Sequence, residues 1–174
     1  MYLRSACLTV LLFSVFFQVQ GDLFRRHYEA ANAYHRAGNF AAAEAEFKMI
    51  LAEAYQRLGK VYSAQGNHQA AVVPFESASA LRPNQLDGLV ELSIAYFRAR
   101  QYPKAVDVLQ RALAADARYA PAHHMLGKSY FMMGDFEKAA RELETTLKLA
   151  PNDYDAEYTL GLAYLKQRQV PQAK

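Results

Sequence analysis

Apolar and polar positions recur along this chain with a fixed period. Leu58, Leu92, Leu126 and Leu160 stand 34 residues apart, and each is followed at once by a small residue, Gly59, Ser93, Gly127 or Gly161. Three residues beyond these come Tyr62, Tyr96, Tyr130 and Tyr164. An offset set repeats at the same period as Ala71, Ala105, Ala139 and Ala173, with Phe75, Leu109 and Leu143 four residues further on. Spacings of three and four put side chains on one face of a helix, so each period encodes two amphipathic helices. The first helix of each pair is predicted over 52–65, 86–99, 120–133 and 154–167, and no segment shows the alternation of a strand. A small residue in mid-helix lets the partner helix approach closely, which sets Gly59 opposite Ala71 and Gly127 opposite Ala139.

Turn chemistry punctuates the same period. Gly38-Asn39, Gly66-Asn67 and Gly134-Asp135 each place a left-handed terminator before an N-cap acceptor. Pro83 and Pro151 are expected to stop the second helices, with Asn84 and Asn152 available to cap the helices that follow. One interval breaks the rule: Tyr34 and Tyr62 are 28 residues apart. From Phe40 to Gln65 there is neither proline nor turn dipeptide, so a single helix of about 26 residues is expected, with a tight turn near Ala52 as the alternative.

The run Leu58-Gly59-Lys60-Val61-Tyr62, continued by Gly66, Ala71, Phe75, Ala78 and Pro83, resembles the tetratricopeptide repeat almost position for position. On this resemblance the units are 24–51, 52–85, 86–119, 120–153 and 154–174, the last cut short, with Ala117 and Thr146 departing from the pattern. The resemblance implies an all-α, right-handed helix-turn-helix solenoid of about four and a half tandem repeats. It also implies a non-catalytic scaffold that holds a protein or peptide partner in a concave groove lined by the first helices. The family's groove positions fall on Val90, Glu91, Ile94, Phe97 and Arg98, then on His124, Met125, Lys128, Phe131 and Met132, then on Tyr158, Thr159, Leu162, Leu165 and Lys166. This half is largely apolar. Earlier units contribute Arg25, Tyr28, Glu29, Asn32, His35 and Arg36, then Glu53, Gln56, Arg57, Lys60, Ser63 and Ala64, which are polar and of mixed charge. The family's terminal-carboxylate clamp does not carry over, because Asp87 and Glu91 stand where its cations or amides belong. Its asparagine ladder is replaced by Arg57, Glu91, Met125 and Thr159.

The N-terminus follows a different logic. One arginine, Arg4, precedes the apolar stretch Ala6 to Phe17, and Val19-Gln20-Gly21 ends in a small residue, the layout of a signal peptide over residues 1–21. Gln18 and Gln20 interrupt the stretch before it reaches the length of a membrane span. The expectation is an exported, bacterial-type array, periplasmic or extracellular, with an uncleaved membrane anchor as the alternative. Within the expected signal lies Cys7, the chain's one cysteine, so no disulfide framework or thiolate metal site is available.

Composition narrows the chemistry. The net charge of +3 over 174 residues, with no run of Lys and Arg, lacks the basic stripe that nucleic acid requires. His123 and His124 leave their helix about 100° apart, unlike the i, i+4 pairs that chelate metal, and His27, His35 and His68 fit no ligand spacing. No phosphate loop, nucleophile elbow or dinucleotide fingerprint is present, so no catalytic residue, metal or cofactor is expected. Because 154–174 supplies a full first helix and only the beginning of a second, the natural protein is expected to continue past Lys174 or to cover that end by self-association or with a partner. The competing reading makes the repeats the recruiting arm of a larger enzyme, or of an envelope-assembly or secretion machine, whose active domain lies beyond Lys174.

Overall fold

In the computed structural model, residues 24–169 are described; the expected signal peptide and Val170 to Lys174 lie outside them. Eight helices account for most of these residues: α1 (24–36), α2 (Phe40–Ala64), α3 (His68–Leu81), α4 (Leu86–Arg98), α5 (Tyr102–Ala115), α6 (Ala120–Met133), α7 (Phe136–Leu149) and α8 (Tyr154–Gln169). No strand occurs among the described residues. The chain forms two compact units, one ending at Ala54 and one starting at Tyr55. Helix α2 is unbroken over 25 residues, as the lack of a breaker predicts.

In the first unit, Ala31 and Ala43 are buried small residues, and His27 Nδ1 lies 2.5 Å from Glu46 Oε2. In the second unit each helix packs against the next, from α3 to α8, while α4 also meets α6 and α6 meets α8. The main core gathers Phe75, Leu89, Leu92, Val108, Leu109 and Leu126, with the small residues Ala71, Ala105 and Ala122 at closest approach. Serine and threonine enter this interior without penalty, because Ser93 Oγ, Ser129 Oγ and Thr146 Oγ1 each donate to a carbonyl of their own helix at 2.7, 2.7 and 3.0 Å. Pro74 lies inside α3, where the helix continues without that residue's N–H.

The glycine turns behave as predicted. Gly38, Gly66 and Gly134 have φ of 72°, 75° and 82°, and the residue after each one caps the next helix. Asn39, Asn67 and Asp135 accept from the backbone N–H three residues on, each at 3.2 Å. Lys138 also reaches Asp135 at 2.7 Å, and this bond holds the Asp135 carboxyl below its ordinary range. Between α4 and α5 the same turn carries Arg100 at φ 60°, a left-handed position occupied by a residue with a Cβ. The helices that open each pair are capped one residue later than expected. Asp153, not Asn152, accepts from Ala156 N–H at 3.0 Å, and Gln85, not Asn84, is the cap residue of α4. The chain needs three residues after each second helix to turn, so the proline and its neighbour stay outside the new helix.

The close helix contacts bring a second, larger partner beside the expected alanine. A Cβ on Gly59 would stand 2.7 Å from the ring of Phe75, and one on Gly127 would stand 2.5 Å from Leu143 Cγ and 3.3 Å from the Ala139 carbonyl oxygen. The large residue one turn beyond the alanine therefore fills the space the glycine leaves. Gly161, in the same register, has nothing within 4 Å among the described residues.

Candidate partner-binding site

Two adjoining cavities open on the side of the second unit formed by the helices that start each repeat. One, of about 400 Å³, is lined by Val90, Ile94, Phe97 and Arg98 of α4, by Pro121, His124, Met125 and Lys128 of α6, and by Asp155 of α8. The other, of about 330 Å³, is lined by Lys60, Ser63 and Ala64 of α2, by Phe75 of α3, and by Glu91, Ile94, Ala95 and Arg98 of α4. Ile94 and Arg98 belong to both, so the cavities meet along one face of α4. Helical periodicity explains the gathering: Val90, Ile94, Phe97 and Arg98 are spaced by four, three and four, which aligns them on one stripe.

Both rims are charged. Lys60 Nζ is 2.7 Å from Glu91 Oε1. Lys128 Nζ is 2.7 Å from Asp155 Oδ2, and its bond holds the Asp155 carboxyl below the ordinary range against the opposing effect of burial. His124 is clasped between two carboxylates, with Nδ1 2.8 Å from Asp153 and Nε2 3.0 Å from Asp155. Outside the cavities, Tyr119 donates to Asp87, and its hydroxyl is pushed up to about 12 by burial first and by that bond second. Tyr96 donates to Glu76 at 2.5 Å and is raised for the same two reasons.

Of the fifteen groove residues read from the apolar half, seven share one cavity, Val90, Ile94, Phe97, Arg98, His124, Met125 and Lys128, and Glu91 lines the other. The remaining seven, Phe131, Met132, Tyr158, Thr159, Leu162, Leu165 and Lys166, line neither cavity. Phe131 packs edge-on against Phe136 at 5.4 Å and against the core formed by Ala139, Ala140 and Ala163. Met132, Tyr158 and Leu165 are exposed. Phe97 makes the same edge contact with Tyr102 at 5.3 Å, and His35 with Phe40 at 5.6 Å, so an aromatic pair five residues apart closes three hairpins. Phe97 thus both locks its hairpin and borders the cavity. Pro121, Asp155 and Ala95 complete the walls without having been singled out by sequence, and Phe75 joins them from the repeat pattern.

Three of the histidines, His27, His123 and His124, are paired with carboxylates. His123 Nδ1 lies 2.6 Å from Glu142 and His27 meets Glu46, the same pair at the same place in two repeats. Both pairs link residues 19 apart, a separation that no short-range ligand pattern reveals. Among the described residues no group of three or more His, Cys, Asp or Glu is placed to hold a metal ion.

Comparison with known proteins agrees with this architecture. Two family models described as tetratricopeptide repeat match residues 62–129 and 120–153. The chain belongs to the tetratricopeptide repeat family, whose domains are generally non-catalytic protein-interaction modules. It is 39% identical over 70 residues to the cell division cycle protein 27 homolog of Caenorhabditis elegans, covering 40% of this chain and 9% of that protein. Among solved structures it is similar to MamA, with 27% identity, a TM-score of 0.62 and coverage of 88% of this chain and 87% of MamA. It also shares its fold with the first repeat domain of Spaghetti (RPAP3), solved bound to the HSP90 peptide SRMEEVD, at 23% identity and a TM-score of 0.63, covering 68% of this chain and 94% of that one. The chain spans between 9% and 19% of the length of the first curated relatives it matches.

Proposed function

We propose that this chain is a scaffold that holds a segment of a partner protein in the channel formed by the two cavities. The observation that carries this reading is their shared wall. Ile94 and Arg98 join two half-open apolar spaces into one continuous site, as a bound segment of several residues requires. Met125 adds an adaptable apolar surface, and the peptide seated on the related Spaghetti domain supports the mode of use. Ile94→Asp should weaken binding of end-blocked dodecapeptides, selected from an unbiased library, by about tenfold or more with the helical circular dichroism unchanged, since a central contact typically contributes more than about 1 kcal/mol. Unchanged binding by Ile94→Asp would move the site elsewhere.

A second reading, the recruiting arm of a larger assembly or enzyme, is favoured by the small share of its relative that the chain spans. We also infer export, from the charged start, apolar stretch and small residue at Gly21. Intact-mass measurement of the cell-produced protein should show cleavage after Gly21, and a mass that retains residues 1–21 would turn the reading to a membrane anchor.

A further inference from the structure

Among the described residues, each lysine that lines the channel is matched by a carboxylate, and the one arginine is not. Lys60 faces Glu91, and Lys128 faces Asp155, each at 2.7 Å, while His124 is held by Asp153 and Asp155. Arg98 stands where the two cavities meet and has no hydrogen-bonding or ionic partner among the described residues. The channel therefore presents one uncompensated guanidinium with an apolar space on either side of it. We propose that the partner segment carries an internal acidic side chain that pairs with Arg98 and is flanked by two apolar residues. One of these sits against Ile94, Ala95 and Phe75, and the other against Val90, Phe97 and Met125. This deepens, and rests on, the reading that the channel holds a partner segment.

Charge complementarity selects the acid. Laying an apolar segment across the guanidinium would strip water from it without replacement, and that cost falls on every ligand lacking an acceptor there. A carboxylate removes the cost and gains a planar, two-pronged pairing that a lysine in the same place would not offer. The site selects an internal side chain over a chain terminus because a cavity lies on each side of Arg98, so a ligand that fills both must continue past it. Polyphosphate ligands fit poorly, because Glu91 and Asp155 line the same walls as the lysines they neutralise. Arg98 also lies in the last turn of α4, where a cation favours the helix dipole, a structural role that involves no ligand. The test separates the two.

Beads carrying random dodecapeptides, blocked at both ends, are screened on the full chain and on its Arg98→Glu variant, with Ile94→Asp as reference and circular dichroism on each. The wild type should enrich Asp or Glu between two apolar residues. Arg98→Glu should lose at least about tenfold in affinity for these peptides and enrich Lys or Arg at the same place, a charge swap that a purely structural arginine cannot produce. Enriched peptides that need Ile94 but carry no acid, or that bind Arg98→Glu equally well, would overturn the acidic proposal and leave the channel intact. Binding only by a second library with free C-termini would overturn it too. Peptides insensitive to both substitutions, or no enrichment at all, would overturn the channel reading along with it.

Discussion

Gly127→Leu is expected to destabilise the chain by about 3 kcal/mol, at the upper end of what overpacking a core costs. The Cβ alone would come within 2.5 Å of Leu143 Cγ and 2.8 Å of its Cδ2. Leu143 is fully buried, and the Ala139 carbonyl at 3.3 Å belongs to the backbone of α7. Relief therefore requires α6 and α7 to separate, which opens the contact along their whole length. Gly161→Leu is the matching control, in the same repeat register with nothing within 4 Å among the described residues. It should leave stability unchanged or raise it slightly, because leucine is a better helix former than glycine by up to about 1 kcal/mol. Urea melts of the two variants and the wild type decide the matter. Equal midpoints for Gly127→Leu and wild type would mean that the α6 and α7 contact is not the tight one described.

What the sequence revealed and what it hid follow from the range over which each signal acts. Helix boundaries, turns and the unbroken α2 were legible because caps, glycines and the 34-residue period act within a few residues of chain. The face of each helix was legible too, since seven residues chosen by repeat offset do line one cavity. The nearest atoms across a helix contact were not: the period places Ala71 and Phe75 on one stripe, but the angle between helices brings the Phe75 ring up to Gly59. Carboxylates 19 or 31 residues away that clasp His123 and His124 escaped for the same reason, being long-range in sequence and adjacent only after stacking. Phe131 lines neither cavity because an aromatic at the end of a first helix has two uses, and its pairing with Phe136 across the turn draws it toward the hairpin core. The wall that Asp155 adds to the cavity comes from the next repeat, which a search within one unit does not reach.

Arg100→Gly combined with Gln101→Asp is expected to stabilise the chain by about 1 to 2 kcal/mol. The turn between α4 and α5 has the backbone of its neighbours but not their residues. Gln101, with φ −92° and ψ 56°, is close to Asn67 at −84° and 68° and to Asp135 at −85° and 74°. Yet Arg100 holds a left-handed conformation that costs a residue with a Cβ roughly 1 to 2 kcal/mol, and Gln101 makes no side-chain cap. Glycine relieves the first defect, less the extra freedom it gives the unfolded chain. Aspartate supplies the second, a cap worth about 1 kcal/mol, aimed at the N–H of Lys104. Lys104 stands three residues on, as Lys138 does from Asp135, so the new carboxyl should also gain that ion pair and titrate below its unfolded value, as Asp135 does. A depressed carboxyl stabilises the fold above its unfolded pKa, near 4, and loses that contribution as pH falls through the folded value. The double variant should therefore melt a few degrees above wild type at pH 7, and the gain should shrink at pH 2 to the part due to glycine. The Arg100→Gly single variant, measured at both pH values, isolates that part. A double variant that melts below the wild type at pH 7 would show that the turn depends on the arginine side chain.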